Sequence, residues 1–119
     1  MQLTTERLAA FVGGDMEIQN ESEGYLYRGP IERATVEGGE VRVRFKWLAK
    51  NDGGPSSPTS TWTKDDRPDY SASLQIYSVS DIGDGRICLN SSITGETVVL
   101  FPPGGSKLDP ARVANLEAA

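Results

Sequence analysis

Glu40–Lys50, EVRVRFKWLAK, decides the fold. Val41, Val43, Phe45 and Trp47 alternate there with Arg42, Arg44 and Lys46. Successive side chains of a strand point to opposite faces, so the stretch predicts one strand with an apolar face and a cationic face. Trp47 is expected in the core beside Phe45 and the two valines. The preceding tetrad, Glu37-Gly38-Gly39-Glu40, predicts a hairpin turn with flexible glycines at its centre. Before it, Gly24–Val36 reads as a long strand, GYLYRGPIERATV. Gly29-Pro30 breaks that strand, because proline donates no ladder bond and glycine permits a bulge or sharp bend. A strand bent in this way is expected to serve two sheets of a small barrel. Asp15–Asn20 is a first strand with Met16 and Ile18 inward.

The N-terminal segment, Leu3–Val12, predicts a short helix. Thr4 caps it, Glu6 sits near the positive end of its dipole, and Leu3 and Leu8 form a staple. Leu8, Phe11 and Val12 share its apolar face, and Gly13-Gly14 ends it. Its expected role is to plug one end of the sheet, with an amphipathic interaction helix as the functional alternative.

After the organising strand, residues 51–69 form a loop rich in Gly, Pro, Ser, Thr and Asp, with Trp62 as its main apolar residue. Loops of this length inside one domain are uncommon and usually carry function or motion. Thr59–Thr63 is the part suited to a short edge strand. Tyr70–Ser80 reads as a strand with Ala72, Leu74 and Ile76 on one face. Asp81–Gly85 reads as a turn, Arg86–Asn90 as a strand with Ile87 and Leu89 inward, and Ser91–Gly95 as another turn. Thr97–Phe101 is an apolar run of the kind found in buried strands, stopped by Pro102-Pro103-Gly104-Gly105. Residues 109–116 predict a C-terminal helix, with Asp109 as cap, Pro110 at the first helical position, and Leu108 and Val113 as staple.

The chain of 119 residues is read as one domain, 1–119. Its fold class is all-β: a small barrel or strongly bent antiparallel sheet of five to six strands with short terminal helices. Closure is favoured because open edges invite association. The net charge of -5 disfavours long-range attraction to nucleic acid. Charge is uneven, however: residues 1–40 are acid-rich, whereas Val41–Lys50 carries bases and no acid. A single cysteine, Cys88, excludes an internal disulfide. No apolar run approaches the ~20 residues that span a bilayer. The first residues also lack the basic leader and long apolar run of a signal peptide. The expected setting is the cytoplasm, with no membrane partner. The chain has no histidine, which removes the commonest general base, the usual triads and most zinc sites. No cofactor or metal is expected.

The layout resembles the Sm-like and, more broadly, the SH3-like small barrels. The capped N-terminal helix, the strand DMEIQ, the bent strand GYLYRGPI and the long strand VRVRFKW carry the resemblance over residues 3–101. A variable loop before the last hairpin completes it. It implies a small-barrel fold. Sm-like proteins read RNA with an Asp and an Asn between their second and third strands, where this chain has EGGE. Their last hairpin carries an Arg-Gly pair, where this chain has DIGDGR with Arg86. The resemblance therefore transfers no RNA-binding residue.

Two surfaces are candidates for function. Tyr25 and Tyr27 share one strand face and, with Trp62 and Tyr70, suggest an aromatic groove for a protein partner. The structural alternative makes these tyrosines rim residues with wetted hydroxyls. Arg42, Arg44 and Lys46, extended by Arg28 and Arg33, lie ~6.6 Å apart at i, i+2 and suit successive phosphates. Their structural alternative is a solvated face whose bases pair with Glu17 or Glu32, at ~0.2–1 kcal/mol per cross-strand pair. The Asp65, Asp66, Asp69, Asp81 and Asp84 set lacks the spacing and glycine of a calcium loop and reads as turn acids. Cys88 reads as a buried hydrophobe, and Gly104–Lys107 lacks the full phosphate-loop pattern. A carboxylate-base enzyme using Asp66 or Asp69 ranks last. The expected function is a non-enzymatic binding or assembly module acting through a protein partner or self-association. Single-stranded RNA or DNA binding on the basic face is the alternative.

Overall fold

The computed structural model describes residues 3–20, 25–51, 62–65, 70–75, 78–90, 96–105 and 113–114. The side chains of Asn20, Tyr25 and Ala114 are not among the described ones. The expected turns at 21–24 and 91–95, most of the 51–69 loop including Asp66 and Asp69, and the helix start at Asp109-Pro110 lie outside the described residues.

A short helix, α1 (Thr5–Ala9), opens the chain. Thr4 caps it as expected: its hydroxyl accepts from the Arg7 N–H at 3.1 Å. The helix is shorter than Leu3–Val12, because turns take over from Ala10. Leu8 and Phe11 still reach the core, whereas Val12 is exposed. Thr5 bonds Val36 through both its oxygen's donor and acceptor roles, so α1 lies against the far end of the second strand.

Among the described residues ten strands follow: β1 (Asp15–Asn20), β2 (Tyr25–Glu37), β3 (Glu40–Phe45), β4 (Ala49–Asn51), β5 (Trp62–Lys64), β6 (Ser71–Gln75), β7 (Ser78–Gly83), β8 (Arg86–Asn90), β9 (Glu96–Phe101) and β10 (Val113–Ala114). This exceeds the five or six expected: the stretch 40–50 is interrupted at Lys46–Leu48, and short strands join from distant segments. The pairing path runs β10-β5-β4-β2-β1-β9-β8-β7, with β3 attached to β2 and β6 attached to β3. All pairings are antiparallel except β10 with β5.

β2 is the shared, bent strand. Its first half pairs with β1 on one side and β4 on the other, and its second half pairs with β3. The hairpin to β3 turns at Gly38 and Gly39, with φ of +59 and +80. Positive φ at both central residues is the primed turn whose twist matches that of the strands. A bulge between Ile31 and Arg33 turns Glu32 and Arg33 both outward.

The organising strand is broken, and Trp47 leaves the core. Val41, Val43 and Phe45 are buried as expected. Opposite Gly29-Pro30 the ladder lapses for Lys46–Leu48, leaving one bond from the Lys46 N–H to the Pro30 carbonyl at 3.1 Å. The alternation therefore changes phase: Leu48, not Trp47, is buried, and Trp47 is half-exposed. Gly29 is needed at this crossing, because a Cβ there would collide with the Trp47 carbonyl oxygen.

Two further expectations change. Where a C-terminal helix is expected over 109–116, Val113 and Ala114 form β10, paired with Trp62 and Thr63. Asp81–Gly83, expected in a turn, belongs to β7, and the reversal falls at Asp84-Gly85. The main core gathers Leu8, Met16, Ile18, Ile31, Val41, Phe45, Leu74, Leu89 and Leu100 with their neighbours from α1, β1, β2, β3, β6, β8 and β9. The opposite face of the central strands is buried too: Asp15, Leu26, Ala49, Asn51, Phe101 and Val113 lie there.

Candidate functional site

The register decides which candidate aromatics meet. Tyr27 stands opposite Ile18 on β1 and Lys50 on β4, and Lys50 stands opposite Thr63. Partners directly across a ladder share a face, so Tyr27, Lys50 and Thr63 lie on the core side. The Lys50 ammonium sits 5.9 Å from the Tyr27 ring centroid, a cation–π contact. Trp62, one residue from Thr63, belongs to the opposite face, across from Asn51 and Val113. Tyr70 immediately precedes β6. Its carbonyl accepts from Phe45 N–H at 2.8 Å and its hydroxyl donates to the Asp65 carbonyl at 3.0 Å. Tyr27 and Tyr70 both pack against the main core. The fold thus places Tyr27 and Tyr70 on one side and Trp62 on the other. Tyr25 begins β2 with its backbone paired to Asn20.

Between β6 and the paired β1 and β2 lies an open cleft of about 180 Å³. Tyr27, partly exposed, gives it an apolar wall over the buried Ile18, Leu48 and Leu74, and Ser71, Ser73 and Glu96 give it polar ones. Four consecutive residues of β6, Ser71 to Leu74, line it, so one long edge of that strand faces the cleft. Among the described residues β6 pairs with β3 alone. In an antiparallel ladder, bonded and non-bonded pairs alternate. The bond from Phe45 to Tyr70 therefore makes Val43–Ala72 and Val41–Leu74 the bonded pairs. The backbone N–H and C=O of Ser73 point away from β3, toward the cleft.

The candidate cations divide into two groups. Arg28 precedes the bend and lies on the second buried face, apart from the others. Its Nε donates to Asp15 Oδ2 at 3.1 Å and its Nη1 to Glu17 Oε2 at 3.5 Å. Its guanidinium carbon stacks 4.3 Å from the Phe101 ring centroid. The Arg28 and Asp15 side chains are only 12% and 3% exposed. Burial pushes the Glu17 carboxyl above its usual range, and the Arg28 charge opposes that rise. Desolvation outweighs the ion pair because the contact is long and Asp15 shares the same guanidinium.

Arg33, Arg42, Arg44 and Lys46 are exposed on the outer side of β2 and β3. Arg42 meets Glu40 at 3.2 Å and Arg44 meets Glu32 at 3.5 Å. This face mixes both signs, as the structural alternative anticipates. The small cleft beside Phe101 and Pro102 has its arginine committed: Arg86 donates to the Gly83 and Ile82 carbonyls. Among the described residues no three His, Cys, Asp or Glu side chains come together as a metal site, and no helix is long and apolar enough to cross a membrane.

Comparison with protein-family models, with curated proteins and with solved structures finds no match. The geometry of the chain itself carries the functional reading.

The β6 edge was not legible in the sequence, which does not show that Ser71–Gln75 pairs with β3 alone among the described residues. One signal was available: SASLQ has the small polar alternation of an edge strand, with Ser71, Ser73 and Gln75 exposed.

Proposed function

We propose that this domain is a non-enzymatic protein-binding module that accepts an extended polypeptide segment alongside β6. The observation that carries the reading is the cleft walled by Tyr27, Leu48 and the cleft-facing edge of β6. An added strand gains main-chain bonds from such an edge, and one side chain of every two enters the adjoining pocket. The Ser73 backbone supplies a donor and an acceptor in the right direction. Tyr27 offers the accessible apolar surface, over the buried Ile18 and Leu48, and Glu96 favours a basic residue in the guest. Tyr27 is the aromatic anchor on this side, with Tyr25 two residues before it and Tyr70 at the start of β6.

The finer reading of the fold is a small barrel of SH3-like or Sm-like type. Its support is the sequence of pairings β3-β2-β1-β9-β8-β7 together with β6 on β3. β6 and β7 are consecutive in the chain, so the two ends of that series are close in sequence. The shared core of α1, β1, β2, β3, β6, β8 and β9 points the same way. In this reading α1 covers one end, held by Arg7 to Asp81 at 3.4 Å, and the cleft is the opening left at the seam.

The test is selection of peptides from a random display library on the immobilised domain, followed by titration against two variants. Ser73→Pro removes one edge donor without touching a β3 bond, and Tyr27→Ala removes the aromatic wall. Selected peptides should bind the parent domain and lose at least ~tenfold in affinity, ~1.4 kcal/mol, to each variant. Peptides that bind both variants as well as the parent would sink the proposal.

A further inference from the structure

The outer face of the β2–β3 hairpin carries two like-charge juxtapositions. Arg33 stands directly opposite Arg44, and Glu37 directly opposite Glu40. Like charges in directly opposed positions destabilise a sheet. The middle row between them is Thr35 opposite Arg42. The rows are four residues apart, ~14 Å at ~3.4 Å per residue. One end of the face is therefore cationic and the other anionic, symmetric about the middle row. Glu32 relieves Arg44 in part, and Arg42 relieves Glu40 in part. Arg33 and Glu37 make no ion pair among the described residues. Both are exposed, as are Ser71, Ser73 and Gln75 on the neighbouring β6.

We propose that a second copy of this chain docks on this face, related by a two-fold axis that runs across the strands along the Thr35–Arg42 row. That rotation exchanges the two ends of each strand while keeping β2 over β2 and β3 over β3. Arg33 then faces Glu37 of the second copy, and Arg44 faces Glu40, with the reciprocal contacts made by symmetry, as an isologous interface requires. Ser71 faces Gln75 and Ser73 faces its own equivalent, so only small or uncharged groups meet at the β6 side. Arg42 meets its own equivalent across the axis, each guanidinium paired with Glu40 of its own chain at 3.2 Å. The alternative two-fold, along the strands, sets both end rows like on like, Arg33 on Arg44 and Glu37 on Glu40, and is disfavoured by charge. The interaction is independent of the β6 edge, which stays open at the side of the pair. Its strength is modest, because exposed ion pairs are individually weak and screened by salt.

The experiment is sedimentation equilibrium of the whole chain at low salt (~0.02 M) and at ~0.3 M, where the Debye length is short. The parent chain should dimerise at low salt and dissociate at high salt. Arg33→Glu/Arg44→Glu should be monomeric, and so should Glu37→Lys/Glu40→Lys. The chain carrying all four reversals restores the complementarity and should dimerise again, which separates loss of docking from loss of fold. A parent chain that stays monomeric at low salt overturns the proposal. So does a dimer that survives both paired reversals. Labelled oligo(dT) bound by a monomer, and lost in Arg33→Glu/Arg44→Glu, would also overturn it by assigning the cationic end to a nucleic acid.

Discussion

Replacing Arg28 by methionine should be the most damaging single change among the charged residues. The side chain is 12% exposed and stands between Asp15, 3% exposed, and Glu17, 25% exposed. Methionine keeps the aliphatic volume against Phe101 but leaves two carboxylates without their cation. Removing one partner of a buried pair costs about 3–5 kcal/mol, because the survivor is stranded in a poor solvent for charge. The partly exposed Glu17 pulls the estimate toward the lower end, about 3 kcal/mol. In the variant the Glu17 carboxyl, already raised by burial, loses the opposing Arg28 charge and binds its proton more tightly folded than unfolded. Stability should therefore rise as pH falls from 7 toward 5, opposite to ordinary acid denaturation. Asp15→Asn combined with Arg28→Met should recover much of the loss. Urea unfolding followed by tryptophan fluorescence at a series of pH values measures all three. A loss below about 1 kcal/mol at neutral pH would show that the cluster behaves as an exposed pair. A loss that deepens on acidification would refute the charge-stranding reasoning outright.

Three other outcomes follow from the same structure. Phe45→Ala should cost about 3–5 kcal/mol and Trp47→Ala only about 1 kcal/mol, since the first empties the core and the second sits half-exposed; equal losses by chemical denaturation would restore Trp47 to the core. Glu17→Gln should remove a pH dependence. The raised carboxyl makes ionised Glu17 a liability above its folded pKa, relieved as pH falls through it, so parent and variant melting temperatures should converge on acidification and separate toward neutral pH. Thr4→Ala should lower stability by about 1 kcal/mol through loss of the cap on Arg7 N–H, seen as an earlier urea midpoint with unchanged slope.

Local patterns were legible wherever a strand keeps its phase. Met16 and Ile18, Val41 to Phe45, and Ile87 and Leu89 all bury the residues that alternation selects. The EGGE turn was legible because two adjacent glycines answer a specific backbone demand. Phase was lost at Trp47, because the interruption is dictated by Gly29-Pro30 on the neighbouring strand, not by its own residues. Arg28 looked like part of a basic stripe for a related reason: only the register shows that it faces Asp15 and Glu17, on the far side of the bend from Arg42 and Arg44. The β4, β5 and β10 strands are two or three residues long and too short to show a period. They exist because partners distant in sequence complete their ladders. Val113 and Ala114, expected within a C-terminal helix, pair instead with Trp62 and Thr63. The candidate aromatic groove divided for the same reason, since one residue of register moves a side chain to the other face.

Hydrogen exchange at single amides along β6 is the decisive measurement for the binding reading. In the free domain the Ala72 and Leu74 amides, bonded to β3, should exchange slowly and the Ser73 amide fast. Addition of a selected peptide should slow Ser73 and shift the resonances of Ile18, Tyr27 and Leu48. A Ser73 amide already protected in the free domain, or one unchanged by a bound peptide, would contradict an open edge that receives a strand.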